Sequence, residues 1–343
     1  MWFKLGLPWK ILIISITWLV FISFAHYRLN YNQGSKKIVH MGYMPVISNL
    51  AAPLIDYASQ DRSDIRFKAL KFASFSEMGE SLRNGKIDAA FIIAPLSIVL
   101  RQQGEDVKVV YIGNRHESTL VTRKAAKIRS LTDLAGNTVA VPSRYSGHNI
   151  TLRMLLKKQG LEDQIKIVEM NPPDMAAALS TGALDAYFVG EPFAARSLVA
   201  GESEVLYRVE QIAEHFICNL MIVRNDFIKR DPEAVKMLVT AAARSGFWAK
   251  NHPDKTVTIA AKYWNQPENL VRYALNTPPN RILFDLYTPK TSEMQAIADN
   301  MLSLGLVQNA NITGLVDDQF AKDVQTDGLT DDIRTIFLTT QPQ

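Results

Sequence analysis

Seven consecutive residues, Ser143-Arg144-Tyr145-Ser146-Gly147-His148-Asn149, gather more polar chemistry than any other short stretch of this 343-residue chain. They stand directly ahead of residues 148–159, where Leu152, Leu155 and Leu156 share one face of a predicted helix. The start of a helix leaves its first N–H groups without partners and carries partial positive charge, so it is a ready anion site. On that reading Arg144, Ser146, His148 and Asn149 hold an anionic or strongly polar ligand. The plainer reading is that Ser and Asn cap the helix and Arg144 is solvated. Other polar groups stand where apolar stretches end: Met44, Ser48 and Asn49 after 38–43, and Ile93 and Ser97 at the end of 87–93. Phe91 either stacks on a ligand or fills the core. Glu191 points away, pairs with a cation, or receives an amino group of the ligand, and His215 is a ligand donor or a hydrogen-bonded hinge histidine.

Catalytic constellations are missing from the sequence. It contains no G-x-S-x-G elbow, Walker loop, G-x-G-x-x-G, H-E-x-x-H or C-x-x-C, and its six histidines form no i, i+4 pair. The lone cysteine, Cys218, excludes an internal disulfide and a Cys-based metal cluster. Nothing in the pattern asks for an enzyme, a cofactor or a metal. A formal charge of +4, with no Lys/Arg run longer than a dipeptide, leaves no electrostatic footprint for nucleic acid.

The elements that must position these groups occur twice. Residues 78–95 read MGESLRNGKIDAAFIIAP and residues 175–192 read MAAALSTGALDAYFVGEP, in register at an offset of 97. Each copy is an amphipathic helix ending at a Gly suited to a left-handed C-cap (Gly85, Gly182), an Asp-led apolar strand, and a Pro that opens the next helix (Pro95, Pro192). Asp88 and Asp185 resemble a catalytic carboxylate pair, but both start buried strands in the same role and read as strand-entry caps. The repetition extends to 38–43 against 137–141 and 65–70 against 165–170, which predicts two similar α/β lobes. Ligands of open α/β sheets sit beyond the strand C-termini, which is where the candidate residues lie. The two passages between lobes are expected at 118–125 and 212–222, making a hinge that closes on a ligand.

Several local signals complete the outline. Ser74 with Glu77 and Ser292 with Gln295 read as capping boxes, and Asp231 with Pro232 as a helix start. The acidic segment from Asp317 onward is expected to form a loosely attached final helix. At the N-terminus, Lys4 and Lys10 flank the start of an almost wholly apolar run of 15 residues, 11–25, and Ser23 and Ala25 suit a signal-peptidase site before His26. An uncleaved anchor is the competing reading, with Trp2, Trp9 and Trp18 near its ends and Arg28 beyond. The expected organisation is 1–25 signal or anchor, 26–37 tether, 38–120 with 220–343 the first lobe, and 121–219 the second.

An ordered set of segments carries a family resemblance: GYMPVISNLAAPL (42–54), GKIDAAFIIAPLSIVL (85–100), SLTDLAGNTVAVP (130–142), SGHNITLRMLL (146–156), GALDAYFVGEPFAAR (182–196) and NDFIKRDPEAVKMLVTAAARSGFWAKNHP (225–253). Together they resemble the periplasmic solute-binding proteins of nitrate, sulfonate, taurine and bicarbonate ABC importers, a family that includes pyrimidine-precursor binders. The resemblance implies a type II periplasmic-binding-protein fold, with each lobe a mostly parallel sheet flanked by helices and two hinge crossings. It also implies a monomer outside the cytoplasmic membrane that passes a small anion or organic acid to a permease driven by a cytoplasmic ATPase. Phe91-Ile92-Ile93 and Phe193 depart from nitrate-type members and suit a ligand with an apolar part, such as an organosulfonate. Two other functions stay open on the same fold: a membrane-tethered sensor or adaptor, and an enzyme of pyrimidine or menaquinone-type chemistry.

Overall fold

The structure is a computed structural model that describes residues 6–31 and 36–338, with the side chains of 28–31 left aside. It divides into two units. In the smaller, one helix, α1 (Leu7–Tyr31), exposes apolar side chains all round, among them Leu12, Ile16, Trp18 and Phe21. Its stretch Leu7–Tyr27 is 21 residues long and apolar enough to cross a membrane. At about 1.5 Å per residue that is roughly 30 Å, the thickness of a bilayer core. The helix thus runs longer than the 15-residue apolar core, because Pro8 sits in its first turn and His26 and Tyr27 continue it. Residues 26–31 of the expected tether are helical, while Trp2, Lys4 and residues 32–35 lie outside the described residues.

Apart from Lys37, Ile38, Ile65 and Arg66, the two five-stranded sheets belong to the larger unit. The chain enters the first through β1 (Lys37–Tyr43), α2 (Ala51–Ala58), β2 (Ile65–Lys71), α3 (Phe75–Arg83), β3 (Ala89–Ile93), α4 (Ala94–Gln102) and β4 (Val107–Ile112). It builds the second from β5 (Ser118–Arg123), β6 (Thr138–Val141), α5 (Gly147–Gln159), β7 (Lys166–Glu169), α6 (Pro172–Ser180), β8 (Ala186–Gly190), α7 (Phe193–Val199) and β9 (Ser203–Arg208). It then returns to the first sheet as β10 (Asn219–Arg224) and ends in α8 (Asn225–Arg230), α9 (Pro232–Asn251), α10 (Pro253–Trp264), α11 (Glu268–Asn276) and α12 (Thr291–Ser303). The strand orders are β2-β1-β3-β10-β4 and β7-β6-β8-β5-β9.

Each sheet is mixed, and for the same reason. The strand that first enters a sheet after a crossing, β5 or β10, runs antiparallel to both neighbours in the fourth position. The crossings are therefore residues 113–117 and 209–218. Residues 118–123, expected within the first crossing, pair with β8 and β9 of the second sheet.

The repeated stretch folds as its chemistry dictates. Gly85 and Gly182 both take positive φ (67° and 79°) just past α3 and α6. Asp88 accepts from His40 N at 3.0 Å and Asp185 from Thr138 N at 3.0 Å, each tying its strand to the parallel neighbour. β3 and β8 are buried along their whole length, the mark of strands covered on both faces. Ser74 caps α3 through Glu77 N, and Asp231 caps α9 through Ala234 N. Ser292 caps nothing: α12 begins one residue earlier, which places Ser292 inside the first turn.

The segment beyond Asp317 is neither an α-helix nor loosely held. Its last described element is a 3₁₀ turn, Ile333–Phe337, whose Phe337 stacks on Phe67 at 5.7 Å. Arg244 of α9, 1% exposed, donates to the carbonyls of Gln325 (2.6 Å), Asp327 (2.9 Å) and Thr335 (3.0 Å), and Trp248 Nε1 donates to Thr330 O at 3.0 Å. Arg244→Met is expected to destabilise the chain by about 3 kcal/mol, since three carbonyls lose their donor. Chemical unfolding with limited proteolysis of 318–331 would check it, and a loss below about 1 kcal/mol would show that the tail holds without the arginine.

Candidate functional site

The C-terminal ends of β1, β3, β6 and β8 meet between the two sheets, where α4, α5 and α7 begin. The sheets are joined there by Ile47 N, which donates to Glu191 O at 2.8 Å. Around that bond lies a continuous polar network. Asn114 Nδ2 donates to Ile47 O (2.6 Å), Asn219 Nδ2 to Asn49 Oδ1 (2.7 Å) and Asn49 Nδ2 to Met44 O (3.0 Å). On the second-sheet side, Ser118 Oγ donates to Glu117 Oε1 (3.1 Å) and meets His148 Nε2 at 2.9 Å.

Two carboxyls stand at its centre. Glu191 N donates to Glu117 Oε2 at 2.9 Å, while the Glu191 carboxyl accepts from Thr119 Oγ1 (3.1 Å) and Ala195 N (2.7 Å). Each oxygen of a carboxylate accepts about two hydrogen bonds, so Glu191 keeps capacity for more donors. Burial pushes Glu191 up to about 7, with nearby Glu117 adding to the rise, and burial likewise raises Glu117. Burial drives His148 down to about 3, so the imidazole is neutral at physiological pH.

Three buried atoms of this network have no hydrogen-bond partner: Ser48 Oγ, Asn114 Oδ1 and His148 Nδ1. A buried polar atom without a partner costs about 1–3 kcal/mol, so such atoms mark a place built to meet something else. Cys218 Sγ lies 3.9 Å from His148 Nε2, which suggests a nucleophile and base. Burial and the Glu117 charge push the thiol well above its ordinary range, while the imidazole is pushed the other way. Both are therefore neutral, and the pair does not furnish a thiolate.

The structure brings some expected residues together and disperses others. Met44, Ser48, Asn49, Ser146, His148, Asn149 and Glu191 are all buried at or beside the network. Asn49 is spent on Met44 and Asn219, and Ser146 and Asn149 on holding the 143–149 loop, through Ser143 O (2.7 Å) and Arg144 O (2.8 Å). Arg144 itself points outward, 63% exposed, and pairs with Glu169 at 2.7 Å. Ile93 belongs to the apolar core around β3, β4 and α4, and Phe91, fully buried, lies edge-on to Tyr111. Ser97 donates its hydroxyl to Ala94 O at 2.6 Å within its own helix. His215 is exposed on the second crossing and lines a separate cavity of about 620 Å³ with Ile150, Phe216 and Ile297. A smaller cavity of about 260 Å³ opens between the outer strands, lined by Met44, Ser76, Ser143 and Asn171.

Glu117, Thr119 and Arg281 were not singled out by sequence reasoning. Glu117 stands a few residues past the apolar strand Val107–Ile112, a position of the same kind as those of the other candidates. Arg281 gave no signal, lying far along the chain in a segment without repeat or motif.

The sequence pattern of the NMT1-like family matches residues 32–264. The taurine-binding periplasmic protein of Escherichia coli is 28% identical over 210 residues, 60% of this chain and 62% of that protein. A provisionally named binding protein of Brucella abortus is 26% identical over 187 residues, 54% of this chain and 57% of that protein. The chain thus spans less than two thirds of the length of either relative. Among solved structures, the ligand-binding component of an ABC-type import system from Staphylococcus aureus, with zinc bound, superposes with a TM-score of 0.76 at 20% identity. That match covers 85% of this chain and all of the other, and it shows a shared two-lobed fold.

Proposed function

The chain belongs to the NMT1-like family, and from that membership and the cleft we propose that it is the solute-binding component of an ABC importer, acting outside the cytoplasm on a small organic acid that carries an amino group. The observation that carries this reading is the set of unpartnered buried atoms, Ser48 Oγ, Asn114 Oδ1 and His148 Nδ1, on residues of the polar network to which Glu191 also belongs. Such a set serves a ligand held by many directed hydrogen bonds between two lobes. The helix starts of α4 and α5 suit the acid group, and the ionised Glu191 suits an ammonium. Arg115 and Arg281, buried near the network, are already paired with Glu293 and Glu210, so neither supplies a free cation for a simple anion such as nitrate. An aminosulfonate meets both demands, and the taurine-binding relative points the same way. The partners on this reading are a membrane permease with its cytoplasmic ATPase, and the protein works as a monomer.

Thermal unfolding of the full chain in detergent micelles tests the proposal, with taurine, ethanesulfonate, nitrate, bicarbonate and an aminopyrimidine each in turn. A true ligand at 100 times its Kd adds about 2.7 kcal/mol. Taurine is expected to give the largest shift, and silence from all five would sink the reading.

One observation favours a tethered form of the same function. Helix α1 continues without a break past residue 25 to Tyr31, and its 21-residue apolar stretch suffices as an anchor. The intact mass of the protein from membranes separates cleaved from anchored chain.

A further inference from the structure

The family pattern ends at residue 264, yet the segment beyond it returns to the network at one side chain. Arg281 is 5% exposed and grips Glu210 with a fork, Nε to Oε1 at 2.8 Å and Nη2 to Oε2 at 3.1 Å. The same guanidinium donates to Ser118 O and, through Nη1, to Thr119 Oγ1 at 3.1 Å. Thr119 Oγ1 in turn donates to Glu191 Oε1. One planar group thus fixes two consecutive residues of β5 and, through a hydroxyl, the carboxyl beside the lobe–lobe bond.

The backbone around Arg281 is fastened to the first crossing. Arg115 N donates to Leu283 O (3.0 Å), Leu283 N to Arg115 O (3.2 Å), and Ile112 N to Tyr287 O (2.8 Å). Arg115, also buried, reaches the second crossing through His215 O at 3.3 Å and α12 through Glu293 at 3.0 Å. Glu210, the partner of Arg281, lies in the second crossing as well. The segment 281–293 therefore spans both crossings from outside and bolts them to each other.

We propose that Arg281 is a positioning residue for the cleft, orienting the Glu191 carboxyl through Thr119 and bracing both crossings so that the lobes keep the separation at which Ile47 meets Glu191. The orienting part rests on the reading that Glu191 receives the ammonium of the ligand; the brace does not. Lysine cannot replace the arginine in full, because one ammonium does not span a carboxylate, a carbonyl and a hydroxyl that a five-donor fork reaches together. The titratable groups facing Glu191 are Glu117, Tyr187 and Arg281, and of these only Arg281 favours its ionised form.

The test compares wild type, R281Q and R281K as full chains in detergent micelles. Amide hydrogen exchange is read at 113–119 and 209–218 against β1 and β3, and binding of taurine and ethanesulfonate is read across pH. In R281Q the crossings are expected to exchange at least tenfold faster while β1 and β3 stay protected. Taurine is expected to weaken at least tenfold at pH 7 and ethanesulfonate by less than threefold, with the pH midpoint of taurine binding moved upward. R281K restores that midpoint, because it keeps the charge, and leaves the crossings fast. Unchanged exchange in the crossings overturns the brace. Equal weakening of both probes with an unmoved midpoint overturns the orienting role and reduces Arg281 to an ordinary ion pair. Should R281Q not fold, R281K decides the brace by its exchange, and its ratio of taurine to ethanesulfonate affinity decides the orienting role. Failure of both probes to bind wild type would overturn the functional reading and the orienting role with it, and leave the brace to the exchange data.

Discussion

Gly113→Ala is expected to destabilise the protein by about 4 kcal/mol or more and to abolish its thermal response to ligand. A methyl group at this position would lie 2.3 Å from Ser48 O and 3.0 Å from Asn219 O. Both are backbone atoms. Ser48 is held in the turn Ile47–Asn49, and Asn219 is paired opposite Ile93 in β10, so no flexible side chain can yield. The only relief is to push the Ile47–Asn49 turn off the first crossing, which draws Ile47 N away from Glu191 O and opens the polar network. Chemical unfolding and thermal shift of the purified variant would measure both effects. A stability within about 1 kcal/mol of wild type, with ligand response intact, would mean that the crossing is far softer than its packing implies.

Glu191→Gln is expected to alter the pH dependence of stability and to weaken taurine binding about a hundredfold or more. Burial raises Glu191 from 4.5 to about 7, so the folded state binds its proton more tightly than the unfolded state does. The stability this contributes is fully present below about pH 4.5 and is lost as pH rises through about 7. That window corresponds to roughly 3 kcal/mol, and glutamine, which does not ionise, removes it. The difference in unfolding free energy between E191Q and wild type should therefore move in favour of the variant by roughly 3 kcal/mol between pH 4.5 and 8. His148, pushed down to about 3, acts in the opposite sense: its share of stability is lost as pH falls from about 6.5 toward 3. It is present in both proteins and cancels in the comparison. A difference that stays flat with pH would mean that Glu191 is already ionised when buried.

What could be read in the sequence was what neighbouring residues decide together. A Gly at a helix end, an Asp at a strand start and a capping Ser act over three or four positions. Gly85 with Gly182, Asp88 with Asp185, and Ser74 behave accordingly. The helix start at 146–149 was legible for the same reason. Its use was not: Ser146 and Asn149 turn their polar atoms inward to hold the loop, which leaves Arg144 outside with Glu169. The pairing of β5 within the second sheet has no local signature, because a strand of given composition pairs equally well in either sheet. Arg281 and the carbonyls around Arg244 are long-range partners with no spacing rule to announce them. The buried carboxyl of Glu117 was hidden in a crossing expected a few residues further on.

The exchange of strands also imposes an order of assembly. The second sheet is drawn entirely from residues 118–208, one unbroken run of chain. The first sheet has a gap between β3 and β4 that only β10 fills, and α9 receives its last partners from residues 325–335. A growing chain is thus able to finish its second lobe while β3, with the sequence AAFII, still presents an unpaired apolar edge. Until residue 219 emerges, that edge is open to any other strand it meets, so the first lobe begins earliest, finishes last, and spends the interval as the sticky half of the molecule.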